Sequence, residues 1–208
     1  MKDQPDQPLV GSTAYLPPVS FFMKAGHCNG IMIEQHENYN RQTYRNRCRI
    51  PGPNGILTLS IPVRHQGGQK IPIREVMIDN REAWQRQHWR TITSAYNKSP
   101  FFLYYMDSLC DFYDEPAENL FDFNLSLINL CLNLLKFKTE ITFTPKFKEE
   151  GKYPNDYRFC LSPKKEPPFA LPAYPQVFSE RYPFAPDMSI IDLLFNEGPL
   201  ASSLLVQF

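Results

Sequence analysis

Two runs of alternating residues around one turn form the strongest pattern in the chain. Tyr44 to Ile50 leads into Pro51-Gly52-Pro53-Asn54-Gly55, and in Ile56 to Val63 the apolar Leu57, Leu59, Ile61 and Val63 alternate with Thr58 and Ser60. Period-two alternation sends successive side chains to opposite faces of a strand. Asn-Gly supplies the backbone angles of a tight hairpin turn. Residues 44–63 therefore predict a β-hairpin. Leu9 to Ala14 predicts a strand, closed by Tyr15-Leu16-Pro17-Pro18, because a residue before proline avoids the helical region. Ser20 to His27 predicts a short helix and Gly30 to Gln35 a second strand, the parts of a parallel βαβ unit. Ile71 to Ile78 and Glu140 to Thr144 predict further strands.

Helical spacing follows. Trp84, His88, Ile92 and Ala95 form one apolar stripe in a helix predicted near 80–97. Asp79-Asn80-Arg81-Glu82 has the form of a capping box at its start, and Pro100 ends it. Phe101 to Tyr113 predicts a short aromatic helix. Glu118 to Phe137 predicts a helix apolar on several sides, hence buried on several sides. Ser189 to Asn196 predicts a last helix, capped by Ser189 and stopped by Gly198-Pro199. Residues 145–187 carry many prolines with Phe169, Tyr174, Phe178, Tyr182 and Phe184 between them, an irregular arm expected to pack on the body. The expectation is one α/β domain over residues 1–208: a single mixed sheet with a hairpin at 44–63, flanking helices and a proline-rich C-terminal arm.

Composition narrows the functional classes. The 208 residues hold 22 Lys+Arg and 22 Asp+Glu, so the formal net charge is zero. A nucleic-acid binder needs a basic excess to neutralise phosphates, so no nucleic-acid partner is expected. The most apolar stretch, Leu120 to Phe137, is broken by Asp122, Asn124, Asn129, Asn133 and Lys136, so no membrane span is expected. The charged start has no apolar run behind it, which makes the cytoplasm the expected location. The five cysteines lack C-x-x-C spacing and are expected as reduced thiols.

Candidate chemistry centres on arginine. Spacing of two would place Arg45, Arg47 and Arg49 on one strand face, with Tyr44, Asn46, Cys48 and Ile50 facing the other way. Like charges in a row repel unless something negative lies opposite, and the guanidinium fork suits phosphate or carboxylate. The row is therefore an anion site, with Arg47 and Asn46 as its main contacts, or else a face that is solvated or paired with Glu34 and Glu37. His88, between two tryptophans, is a candidate general base or a hydrogen-bonded core histidine. Tyr15 follows the first strand, where ligands of open α/β sheets gather. Gly67-Gly68 lacks any phosphate-loop pattern, and no histidine or cysteine spacing suggests a metal. Nothing identifies a cofactor.

STAYLPPVSFF (12–22), EQHENYNRQTYRNRCRI (34–50), LTLSIPV (57–63), IDN (78–80) with WQRQHWRTITSAYNKSPFF (84–102), and SIIDLLFNEGP (189–199) together resemble the WbqC-like family, in the variant common in Bacteroidetes-type bacteria. Many members open with His-Gln-Pro-x-Tyr-x-Pro. Here Ser12, Thr13 and Ala14 stand in the first three places, while Tyr15 and Pro17 match. The family's acidic pair corresponds to Glu34 and Gln35, its Asn-Arg pair to Asn46 and Arg47, and its Trp–His–Trp stretch to Trp84, His88 and Trp89. The resemblance implies a role in surface-polysaccharide (O-antigen type) biosynthesis, as a transferase on a sugar phosphate or nucleotide sugar. In that reading Tyr15, Arg45, Asn46, Arg47 and Arg49 bind the substrate, and His88 or Glu34 moves a proton. The competing reading is a non-enzymatic module whose proline/aromatic arm docks another protein.

Overall fold

The computed structural model describes residues 4–64, 67, 70–167 and 169–207. His65 and Gly68 of the expected polar loop lie outside the described residues. In chain order the elements are β1 (Leu9–Ser12), α1 (Val19–Gly26), β2 (Ile31–Glu34), β3 (Arg47–Gly52), β4 (Gly55–Ser60), α2 (Trp84–Tyr96), α3 (Phe102–Asp114), α4 (Leu120–Leu134), β5 (Ile141–Phe143), α5 (Ile190–Glu197) and α6 (Ala201–Val206). The class is mixed α/β, with the expected hairpin and flanking helices.

β1, α1 and β2 form the expected parallel unit, with Leu9 opposite Ile31 and Ser12 opposite Glu34. β5 adds to the other edge of β2, also parallel, giving the order β1-β2-β5. Gly11 lets α1 lie close on this sheet: a Cβ there would stand 2.9 Å from the Phe21 ring. The outer edge of β1 is covered by the arm, where Val10 N donates to Asn155 O and Tyr157 N to Val10 O. β3 and β4 pair antiparallel, from Arg47 opposite Ser60 to Gly52 opposite Gly55. Gly55 takes φ 110° at the turn, a conformation that costs glycine no steric penalty.

The strands expected in one sheet thus divide into a parallel sheet and a separate hairpin. Tyr15 N donates to Tyr44 O, but Leu16 then takes φ 41° and Pro17 and Pro18 have no amide hydrogen, so the ladder cannot continue. Residues 71–78 are not a strand. Pro72 removes a donor, Ile73–Glu75 form one 3₁₀ turn, and Val63–Ile78 and Met77–Asn119 make single bridges to different neighbours. The capping box at 79–82 does not form. Asp79 binds Arg81, Asn80 Oδ1 accepts from Trp84 Nε1, and α2 starts at Trp84. Ser189 precedes α5 without capping it, because its hydroxyl donates to Leu16 O. α6 was not expected.

The core joins Phe21 and Phe22 of α1, Tyr96 of α2, Phe121 of α4 and Phe195 of α5, each almost wholly buried. Among the described residues no helix is long and apolar enough to cross a membrane. All five cysteines are free thiols, with Cys48 and Cys131 buried. Mass spectrometry of unreduced native protein is expected to show five free thiols. Loss of a hydrogen pair from the intact mass would contradict this.

Candidate functional site

The hairpin has two chemically different faces. Cys48 and Ile50 point into the core, which leaves Arg47 and Arg49 on the opposite face of β3 beside their β4 partners Ser60 and Thr58. Both arginines are half-buried. Arg49 Nη2 donates to the Asp187 carbonyl at 3.3 Å. Arg47 has no ion pair among the described residues, and the buried Nε atoms of Arg47 and Arg49 have no acceptor. Burial pushes the Tyr39 phenol up, and the charges of Arg41, Arg47 and Arg45 oppose that shift. Arg41, which the spacing argument passed over, therefore belongs to the same positive region.

Arg45 stands apart from this pair. It precedes β3 and is buried in a forked ion pair with Glu37, and its Nη2 also donates to Ser12 Oγ at 2.8 Å. β3 begins only at Arg47, so three arginines do not share one strand face, and Arg45 already has its anion. Asn46 is buried, and its Nδ2 donates to Ile61 O at 3.0 Å. The Asn46 backbone also accepts from Ile61 N at 2.8 Å. Asn46 thus clamps the chain at the open end of the hairpin.

Glu34 closes β2 in a second ion cluster. Arg158 Nη1 reaches its Oε2 at 2.6 Å, while Arg158 Nη2 reaches Asp156 Oδ2 at 2.8 Å. His36 N and Thr144 Oγ1 donate to Glu34 Oε1. Glu34 is fully buried and its oxygens are engaged. Between this cluster and the Arg45–Glu37 pair lies a cavity of about 20 Å³ bordered by Ser12, Thr13, Ala14, Tyr44, Arg45 and Arg158. It sits at the carboxyl ends of parallel strands, yet has room only for a water. The Thr13 hydroxyl is buried without a hydrogen-bond partner among the described residues.

Tyr15 and His88 do meet. The Tyr15 hydroxyl lies 3.0 Å from His88 Nδ1 and 2.8 Å from the Tyr113 hydroxyl, with the Trp84 and Phe123 rings packed around them. Burial lowers the imidazole to about 4, and a bond to the Ser60 backbone opposes this. At neutral pH His88 is therefore an uncharged member of a tyrosine–histidine chain inside the core. Tyr15 and His88 are together, Arg47 and Arg49 are together, and Glu34 and Arg45 belong to two separate ion clusters.

Asp192 of α5 is a buried hub that sequence reasoning missed. Its carboxylate accepts from Tyr96 Oη at 3.0 Å, Tyr174 Oη at 2.7 Å and Gln176 Nε2 at 2.7 Å, which ties the arm to the body. Burial pushes the carboxyl up to about 6, and these hydrogen bonds oppose it. A carboxyl raised in the folded state favours folding below its unfolded value of about 3.9, and that contribution is lost as pH rises through about 6. Urea unfolding from pH 4 to 7 should show the wild type losing stability relative to Asp192→Asn between pH 4 and 6. Parallel curves would contradict the raised value.

Fold and site together define a mixed α/β protein with a cationic hairpin face. Its sequence matches the WbqC-like protein family over residues 13–160, and the chain belongs to that family. It is also similar to the uncharacterised protein Rv1507c of Mycobacterium tuberculosis, with 25% identity over 217 residues covering 92% of this chain and 94% of the relative. No solved structure matches.

Proposed function

We propose that the protein binds an anionic sugar phosphate or nucleotide sugar at the Arg47–Arg49 face of the hairpin, in the service of surface-polysaccharide biosynthesis. One observation carries the reading: among the described residues Arg47 is half-buried, lacks a carboxylate partner and has a buried Nε with no acceptor. A guanidinium held this way is partly desolvated without compensation, and a phosphate would supply both charge and acceptors. The link to polysaccharide chemistry comes from the family resemblance. Binding is better supported than a transferase step, because Glu34 is engaged with Arg158 and His88 is enclosed by aromatic rings.

A thermal-shift series with UDP-glucose and glucose 1-phosphate tests this. At a hundred times its dissociation constant a bound ligand stabilises by about 2.7 kcal/mol. A saturable rise of several degrees is expected from at least one of them, and no shift from either at millimolar concentration would count against the proposal. A second reading, a module that docks a protein through the arm, is favoured by the aromatic groove between the arm and the hairpin turn. Failure of both probes together with specific capture of a protein that is lost in Tyr182→Ala would favour it.

A further inference from the structure

The face that carries Arg47 and Arg49 continues at the turn end into apolar surface. Pro51 follows the two arginines at spacing two, and Ile56 lies opposite Pro51 as Thr58 and Ser60 lie opposite the arginines. There Pro51, Ile56, Phe178, Tyr182 and Phe184 border a groove of about 400 Å³, a volume typical of small-molecule sites. Ile56 is 52% exposed and Tyr182 40% exposed, so apolar surface faces water at its mouth. At about 3.4 Å per residue, Arg49 lies about 7 Å along the strand from Pro51 and Arg47 about 14 Å. Asp187 accepts from Ser20 N at 2.9 Å through its carboxylate and from Arg49 through its backbone oxygen; burial pushes its carboxyl up, and the Arg49 charge opposes that shift.

We propose that this groove and the adjoining arginines form one amphiphile site, in which the groove holds the apolar chain of a chain-linked phosphate and Arg49 and Arg47 hold its head. The proposal rests on the anion reading above and narrows it. A groove lined almost wholly by carbon has little to offer the hydroxyls of a sugar or the polar edges of a nucleotide base, because burying such groups without hydrogen bonds is costly. Charge complementarity at one end and an apolar channel at the other together select a ligand with a phosphate and a hydrocarbon tail.

Octyl phosphate below its micellar concentration is the probe, followed by calorimetry with inorganic phosphate and octanol as its separate halves. Octyl phosphate should bind at least tenfold more tightly than either half. Ile56→Asp, at an exposed position that spares the core, should cost at least tenfold for octyl phosphate and leave UDP-glucose unaffected. Tyr182→Ala should repeat that pattern. Arg47→Ala should weaken octyl phosphate and UDP-glucose alike. Octyl phosphate binding no better than phosphate, or unmoved by both groove variants, overturns the amphiphile site, and the anion reading survives if UDP-glucose still depends on Arg47. If neither probe depends on Arg47, both readings fall.

Discussion

Arg158→Met is expected to destabilise the protein by about 3–5 kcal/mol, the usual consequence of leaving a buried charge without its partner. For a chain of this size that is a fall of roughly 6–20 °C in melting temperature. Arg158 and Glu34 are fully buried and Asp156 almost so, and the guanidinium makes bonds of 2.6 and 2.8 Å to the two carboxylates. The Tyr153 and Phe159 rings lie against its faces, each 5.0 Å from the guanidinium carbon. Methionine keeps much of the stem's packing, so the loss reports the charge. The cluster also joins β2 to the arm that covers β1, so its failure should free the arm. The triple variant Arg158→Met, Glu34→Gln, Asp156→Asn should recover part of the loss, because it removes the stranded charges. A single-variant loss below about 1 kcal/mol, the range of exposed pairs, would mean that water reaches the cluster.

That cluster shows where sequence reading stops. The βαβ unit, the hairpin and α4 were legible because each is a local pattern: period two, a turn dipeptide, or apolar positions recurring at helical spacing. Residues 71–78 are mostly apolar like a strand, but their single bridges go to Asn38, Val63 and Asn119, and Pro72 removes a ladder donor. The Asp79–Glu82 box failed because two of its members found other partners, Arg81 and Trp84. Arg45, Arg47 and Arg49 share a spacing, yet their roles are set by what the fold brings opposite. Glu37 reaches Arg45 across eight residues, while Arg47 receives no carboxylate among the described residues. Asp156 and Arg158 left no local signal, because a charge on an irregular arm reads as solvated until the arm is seen packed, and Asp192 of α5 gave none because its partners Tyr174 and Gln176 come from that arm.

Arg47→Ala is expected to weaken binding of the anion tenfold to a hundredfold. A forked, charge-assisted contact is worth on the order of 1.5–3 kcal/mol, and each 1.4 kcal/mol is a factor of ten. Arg47→Lys should restore only part of this, since an ammonium cannot form the planar fork. Unlike Arg158, Arg47 holds no carboxylate among the described residues, so its loss should leave the ligand-free protein as stable as before, or slightly more stable as repulsion from Arg49 falls.

The most direct measurement is therefore a paired one on wild type, Arg47→Ala and Arg47→Lys: calorimetric titration with UDP-glucose alongside the ligand-free melting temperature. The account predicts saturable binding by the wild type, a loss of ten- to a hundredfold in Arg47→Ala, an intermediate value in Arg47→Lys, and melting temperatures within about a degree or two of one another, as for a change near 0.5 kcal/mol. Equal affinities in all three proteins, or a large fall in the ligand-free melting temperature of Arg47→Ala, would contradict it.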